Sequence, residues 1–98
     1  MTESTPSLYD GTVLRAADDV LRRTAGAESV LLDLASEEFY GLEGVGARLF
    51  ELVEQPRSLD SVMDVLLAEY DVEREVLTSD VHALIVELLA RRLVLIVS

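Results

Sequence analysis

The sequence contains no cysteine and a single histidine, His82. Without thiols the chain forms no disulfides, zinc–thiolate sites or cysteine nucleophiles. One imidazole excludes a multi-histidine metal site within one chain, and we expect neither a metal nor a cofactor. The sequence also lacks the G-x-S-x-G, P-loop and G-x-G-x-x-G motifs. We therefore expect a protein without catalytic activity.

Lysine is also absent. All eight basic residues are arginine, against nineteen acidic residues, and the formal net charge is -11. Binding to nucleic acid or to anionic lipid depends on basic side chains, so this charge argues against both partners. A neutral or basic peptide suits the chain better. The apolar run at residues 93–97 is far too short to cross a bilayer, and the N-terminus lacks the features of a signal peptide. The expected location is the cytoplasm.

Half of the residues are apolar, which predicts one folded domain over residues 11–98 after a flexible polar tail over residues 1–10. Residues 12–15 and 20–24 predict one interrupted strand or two short ones. Residues 29–34 and 39–42 predict further strands, so the first forty residues resemble a small antiparallel meander. Strands followed by helices predict an α+β domain with helices on one side of the sheet.

After Gly44 the apolar residues recur at helical spacing. The pattern predicts a first helix that ends at Gln55-Pro56, and a second helix that begins at the N-cap Ser58 and ends near Tyr70. A third helix is predicted from Glu73 or Glu75 to Arg92. Residues 93–97 then form a terminal strand or an apolar extension. The glycines at positions 41, 44 and 46 are typical of a strand-to-helix turn rather than a phosphate cradle.

Two of these elements are candidates for binding. The strand at residues 38–42 is a predicted sheet edge, which accepts an extended peptide unless Glu37 and Glu38 act as charges that block pairing. The third helix carries more apolar surface than one packing face needs. Its core stripe is flanked by Val86 and Leu89 on one side and by Val76 and Ala83 on the other. Either flank lines a groove, or the whole helix is deeply buried.

The order of these motifs resembles PqqD-like proteins. The first half contains Val30-Leu31-Leu32-Asp33, Tyr40-Gly41-Leu42 and then Gly46 opening a helix. The second half contains Ser58-Leu59, Tyr70-Asp71-Val72, Ser79-Asp80-Val81, Leu84-Ile85, Leu88 and Leu93-Val94. The pattern resembles the RiPP recognition element, a domain that binds leader peptides of ribosomally synthesised and post-translationally modified peptides. The resemblance covers residues 13–97.

The resemblance implies a fold similar to a winged helix-turn-helix, with a three-stranded antiparallel sheet packed on three helices. It also implies that a leader peptide adds as an antiparallel strand along the third strand, in a groove beside the third helix. Backbone groups of residues 38–41 would pair with the leader. The implied peptide-binding residues are Glu37, Glu38, Phe39, Tyr40, Gly41, Leu42, Val76, Asp80, Leu84, Ile85 and Leu88.

The sequence departs from the usual family pattern at three places. Glu43 stands where asparagine commonly follows the leucine of the third strand. The turn before that strand is Ala35-Ser36-Glu37, where the family often has glycine. Arg92 stands where a glycine often precedes the final Leu-Val.

Among members of this family, a short acidic chain with an N-terminal tail looks most like the discrete leader-binding protein of lasso peptide clusters. That resemblance implies a precursor leader peptide, a separate transglutaminase-like leader peptidase and a lasso cyclase as partners. The alternative within the family is a PqqD-type peptide chaperone that presents its precursor to a radical-SAM enzyme. Outside it, the alternatives are a winged-helix regulator, which the charge opposes, and a dimerisation domain that pairs through residues 93–97.

Overall fold

The computed structural model describes residues 8–97, which follow the predicted order of strands and then helices. The strands are β1 (Val13–Ala16), β2 (Val20–Ala25), β3 (Glu28–Asp33), β4 (Glu38–Glu43), β5 (Arg57–Ser58) and β6 (Val94–Ile96). The helices are α1 (Val45–Leu52), α2 (Leu59–Glu69) and α3 (Arg74–Ala90). The predicted α+β class and the three helices are confirmed.

The strands form two antiparallel sheets rather than the single one expected. β2, β3 and β4 form the predicted meander, whereas β1 lies between β5 and β6 in a second three-stranded sheet. Of the two alternatives for residues 12–24, the two short strands are correct, and β1 and β2 belong to different sheets. The reason is long-range pairing: Leu14 of β1 is fully buried and lies opposite Ile96 of β6. Residues 94–96 are thus a terminal strand that pairs within its own chain.

The helix ends agree with the sequence signals in most places. The Ser58 hydroxyl accepts a hydrogen bond from the Ser61 backbone N–H at 3.2 Å, as predicted for an N-cap. Helix α2 ends at Glu69, with Tyr70 as its C-cap. Helix α3 ends at Ala90 and not at Arg92 as predicted, so Arg91 and Arg92 follow the helix.

The core lies between the inner face of the meander and the three helices. Leu31 of β3 is fully buried, and it is joined there by Phe50 of α1, Leu66 of α2 and Leu88 of α3. Leu8 packs against the edge of this core, and the Asp60 N–H donates to the Asp10 carbonyl at 2.9 Å. Residues 8–10 of the expected tail therefore contact the domain, while residues 1–7 lie outside the described range.

Two residues other than glycine have a left-handed backbone, Glu37 (φ 62°) and Arg92 (φ 61°). Arg92 stands where the resemblance implies a glycine, and Glu37 belongs to the turn in which it implies one. After α3, the Leu93 N–H donates to the Leu88 carbonyl at 2.9 Å and the Arg92 N–H to the Leu89 carbonyl at 3.0 Å. This pair of bonds is a Schellman motif, whose left-handed residue is usually glycine. The chain thus keeps the turn geometry without the residue that adopts it most easily.

Arg92→Gly is expected to stabilise the fold. A left-handed backbone costs a residue with a Cβ atom roughly 1–2 kcal/mol, and the greater freedom of glycine in the unfolded chain offsets part of that gain. We expect a net gain of about 0.5–1 kcal/mol in the free energy of unfolding, measured by urea denaturation. Arg91→Gly is the control, because Arg91 has a right-handed backbone (φ -88°), and it should not stabilise. A loss of stability in Arg92→Gly would contradict the strain assigned to this turn.

Candidate functional site

Strand β4 is an edge of its sheet. The strand order is β2-β3-β4, and within residues 8–97 β4 pairs with β3 alone. The opposite edge, β2, is held to the turn after α1 by a two-bond ion pair: Arg22 Nε and Nη2 donate to the Glu54 carboxylate at 2.7 and 3.0 Å. An edge strand presents unpaired backbone groups that a further strand can meet.

The hydrogen bonds at the end of β3 fix which backbone groups of β4 point to this free edge. The Leu34 N–H donates to Asp19 of the β2 side, and the Asp33 carbonyl accepts from Glu37 on the β4 side. Backbone direction alternates along an antiparallel strand. Asp33, Leu31 and Ser29 therefore direct their backbone groups to β4, where they lie opposite Glu38, Tyr40 and Leu42. It follows that Phe39, Gly41 and Glu43 direct N–H and C=O to the free edge.

Side chains alternate along β4 in the same period, so the strand has two distinct faces. On the inner face Leu42 is buried and Tyr40 is half-buried. On the outer face Phe39 is 71% exposed, and Gly41 and Glu43 are exposed as well. A strand added at this edge would therefore place alternate side chains on each face.

Helix α3 runs beside the inner face of β4, in the opposite direction. A Cβ atom at Gly46 would lie 3.1 Å from Leu84 Cδ2 and 3.3 Å from Leu42 Cδ2, so glycine lets α1, α3 and β4 meet closely. Seven residues after Leu84, at the C-cap of α3, the Arg91 guanidinium lies over the Tyr40 ring, 4.7 Å from its centroid. We call this line of contact between β4 and α3, from Leu84 to Arg91, the groove.

A cation–aromatic group lies at the Arg91 end of this groove. Arg91 stacks on Tyr40 and forms an ion pair with Glu87, Nε to Oε2, at 3.5 Å. Burial raises the pKa of the Tyr40 phenol, the Glu87 carboxylate raises it further, and Arg91 opposes them. The phenol therefore stays protonated at neutral pH. The group joins β4 to α3 and limits the groove at that end.

The structure separates the predicted site residues into four groups. Glu37 lies in the turn before β4, and residues 38–42 form the edge strand as expected. Leu84 is half-buried and lines the groove beside Leu42. Ile85 and Leu88 are 1% and 0% exposed, so they support the groove from the core and do not reach its surface. Val76 and Asp80 are exposed but precede Leu84 by about 12 and 6 Å along the helix axis, so they lie beyond the Leu84 end of the groove.

Two groove residues, Glu87 and Arg91, are absent from the predicted set. They lie on the flank of α3 that also carries Val76 and Ala83, which identifies the flank facing β4. The sequence does carry a signal for them. Glu87 and Arg91 follow Leu84 by three and seven residues, and residues at this spacing lie on one face of a helix. The residue pattern alone left the two flanks equivalent.

Residues 8–97 hold no cluster of three or more metal-ligating side chains. Within the same range, no helix is long and apolar enough to span a membrane.

Comparison with known proteins places this geometry in one family. The family model described as coenzyme PQQ synthesis protein D (PqqD) matches residues 28–94, from β3 to the start of β6. A PqqA binding protein of Gluconobacter oxydans (strain 621H) is 31% identical over 88 residues, which cover 90% of this chain and 92% of that protein. The solved structure of TbiB1 in complex with the TbiA(beta) leader peptide superposes with a TM-score of 0.75 at 29% identity, covering 82% of this chain and 93% of that one. The chain therefore belongs to the PqqD family and is a PqqD-like RiPP recognition element.

Proposed function

We propose that the protein binds the leader segment of a precursor peptide by adding it as a strand to β4, without catalysing a reaction itself. The observation that carries this proposal is the free edge of β4, whose outward backbone groups belong to Phe39, Gly41 and Glu43. Main-chain hydrogen bonds supply affinity in this mode, and side-chain pockets supply specificity. The similarity to a PqqA binding protein and to TbiB1 with its leader peptide supports it.

The inner face of β4 provides the first of these pockets. Leader residues opposite Tyr40 and Leu42 would point into the groove beside α3, where Leu84 offers apolar surface and Glu87 a carboxylate. With a formal charge of -11, the protein also attracts basic leaders over a distance, which raises the association rate more than the final affinity. The groove thus favours an extended, apolar and moderately basic leader.

We further propose that the bound precursor is delivered to separate enzymes in the cytoplasm. In the lasso peptide arrangement these are a transglutaminase-like leader peptidase and a cyclase. The similarity to a PqqA binding protein favours a second candidate, presentation of the precursor to a radical-SAM enzyme. Both candidates use the same edge of β4, and they differ in the enzyme that meets the complex.

The test is a calorimetric titration of the protein with the leader half and, separately, the core half of the precursor encoded beside its gene. We expect one-to-one binding of the leader and none of the core. Adding the protein in trans should then raise the rate of leader cleavage by the neighbouring peptidase. Faster modification by a neighbouring radical-SAM enzyme would instead support the second candidate. A folded protein that binds neither half would contradict leader recognition.

A further inference from the structure

The outer face of the meander carries an apolar row that ends at the free edge. Leu21, Leu32 and Phe39 lie opposite one another across β2, β3 and β4. Leu21 is 49% exposed and Phe39 is 71% exposed. This face lies opposite the α3 groove, and nothing in residues 8–97 covers the Phe39 end. A strand added to β4 would extend the row by one more residue.

The next row contains a notch at Gly41. Gly41 lies opposite Val30, its φ is not in the left-handed region, and a Cβ atom there would meet no atom within 4 Å. Neither backbone geometry nor internal packing thus requires glycine at this position. A shallow cleft of about 240 Å³ surrounds it, lined by Glu28, Ser29, Val30, Gly41, Leu42 and Glu43. A glycine inside a strand often marks a place where another chain approaches closely.

The third row carries charge of one sign. Glu28 and Glu43 lie directly opposite each other, and within residues 8–97 neither forms an ion pair. Like charges directly opposite on a sheet destabilise it. A cationic side chain on an added strand would lie beside Glu43 and relieve this repulsion.

We propose that the outer face of β4 is a second recognition surface, which reads the residues of the bound peptide that point away from α3. The residues opposite Phe39, Gly41 and Glu43 are alternate residues of the added strand, because these three direct their backbone groups to the edge. The surface selects a large apolar side chain beside Phe39, a bulky one over the Gly41 notch, and a lysine or arginine beside Glu43. The cation and the apolar residue are therefore four positions apart, and their order reports the orientation of the peptide.

This inference rests on strand addition at β4, so its test must separate the two. The probe is a surface-displayed library of random twelve-residue peptides, selected on the folded protein. The wild type should enrich, at least ten-fold, peptides with a basic residue four positions from a large apolar one. Glu43→Lys should replace the basic residue by an acidic one at the same spacing. Gly41→Val places its Cβ atom where no other atom lies within 4 Å, and it should reduce the preference for a bulky middle residue at least ten-fold.

Asp64→Lys is the control for net charge, since Asp64 is exposed on α2, and its selected peptides should match those of the wild type. Phe39→Pro is the control for strand addition. The wild type could enrich peptides that Phe39→Pro loses, while those peptides lack the four-residue spacing or do not respond to Glu43→Lys. In that case the outer-face inference is wrong and strand addition stands. Should Phe39→Pro retain every peptide, strand addition at β4 itself is wrong.

Discussion

Phe39→Pro should weaken leader binding strongly while the protein stays folded. The Phe39 N–H points to the free edge of β4, so proline removes a donor that the fold itself does not use. Proline is tolerated on edge strands in this orientation. The peptide carbonyl that this N–H would meet is left unpaired at a cost of about 1–3 kcal/mol, and the proline ring obstructs the approach of the strand. We expect affinity to fall by roughly 100-fold or more, about 2.8 kcal/mol.

Two matched variants make this measurement specific. Phe39→Ala removes the same exposed side chain but keeps the N–H, so the difference between the two variants isolates the backbone contribution. Thr24→Pro places proline at an outward-pointing position of β2, the opposite edge of the same sheet, and it should bind leader normally. Tyr40→Pro is a poorer test, because the Tyr40 N–H points to β3 and its loss disrupts the sheet. Equal affinities of Phe39→Pro and Phe39→Ala would contradict strand addition.

Leu31→Ala should destabilise the protein far more than Leu32→Ala. Leu31 is fully buried on the inner face of β3, directly opposite Tyr40, and truncation of such a leucine costs 2–5 kcal/mol. Leu32 points to the outer face and is only half-buried, so its truncation should cost about 1 kcal/mol. The free energy of unfolding from urea denaturation distinguishes the two variants.

The pair also tests the register that defines the binding edge. A shift of one residue in a strand moves every side chain to the other face. If β3 and β4 were shifted together with their pairing kept, Leu32 and Phe39 would face the core, and the outward backbone groups of β4 would belong to Tyr40 and Leu42. Similar losses for the two variants, or a larger loss for Leu32→Ala, would therefore contradict the assignment of Phe39, Gly41 and Glu43 to the edge.

Local signals in the sequence were sufficient to predict the elements that carry the site. The apolar period gave α1, α2 and α3, and the hydroxyl of Ser58 marked the start of α2. The short aromatic segment at residues 38–42 was recognised as an edge strand, which the structure shows as β4. These features depend on residues that are close to one another in the sequence, so they can be predicted without knowledge of the fold.

Long-range packing decided what the sequence left open. Separation of β1 from the meander depends on its pairing with β6, at the other end of the chain. The flank of α3 that lines the groove is set by the contact of Gly46 with Leu84 and by the position of Arg91 over Tyr40. Ile85 and Leu88 belong to the same predicted core stripe as Leu84, and only the packing shows which of the three reaches the groove. The direction of each N–H along β4 likewise follows from the register with β3.

The most direct test of the account is amide hydrogen exchange, followed by NMR with and without the leader peptide. In the free protein, the amides of Phe39, Gly41 and Glu43 should exchange rapidly, and those of Tyr40 and Leu42 slowly. Saturation with leader should protect the first three and leave the amides of Val20, Arg22 and Thr24 on the β2 edge unchanged. Protection along β2 instead, or binding without any protection of the three β4 amides, would contradict recognition by strand addition at this edge.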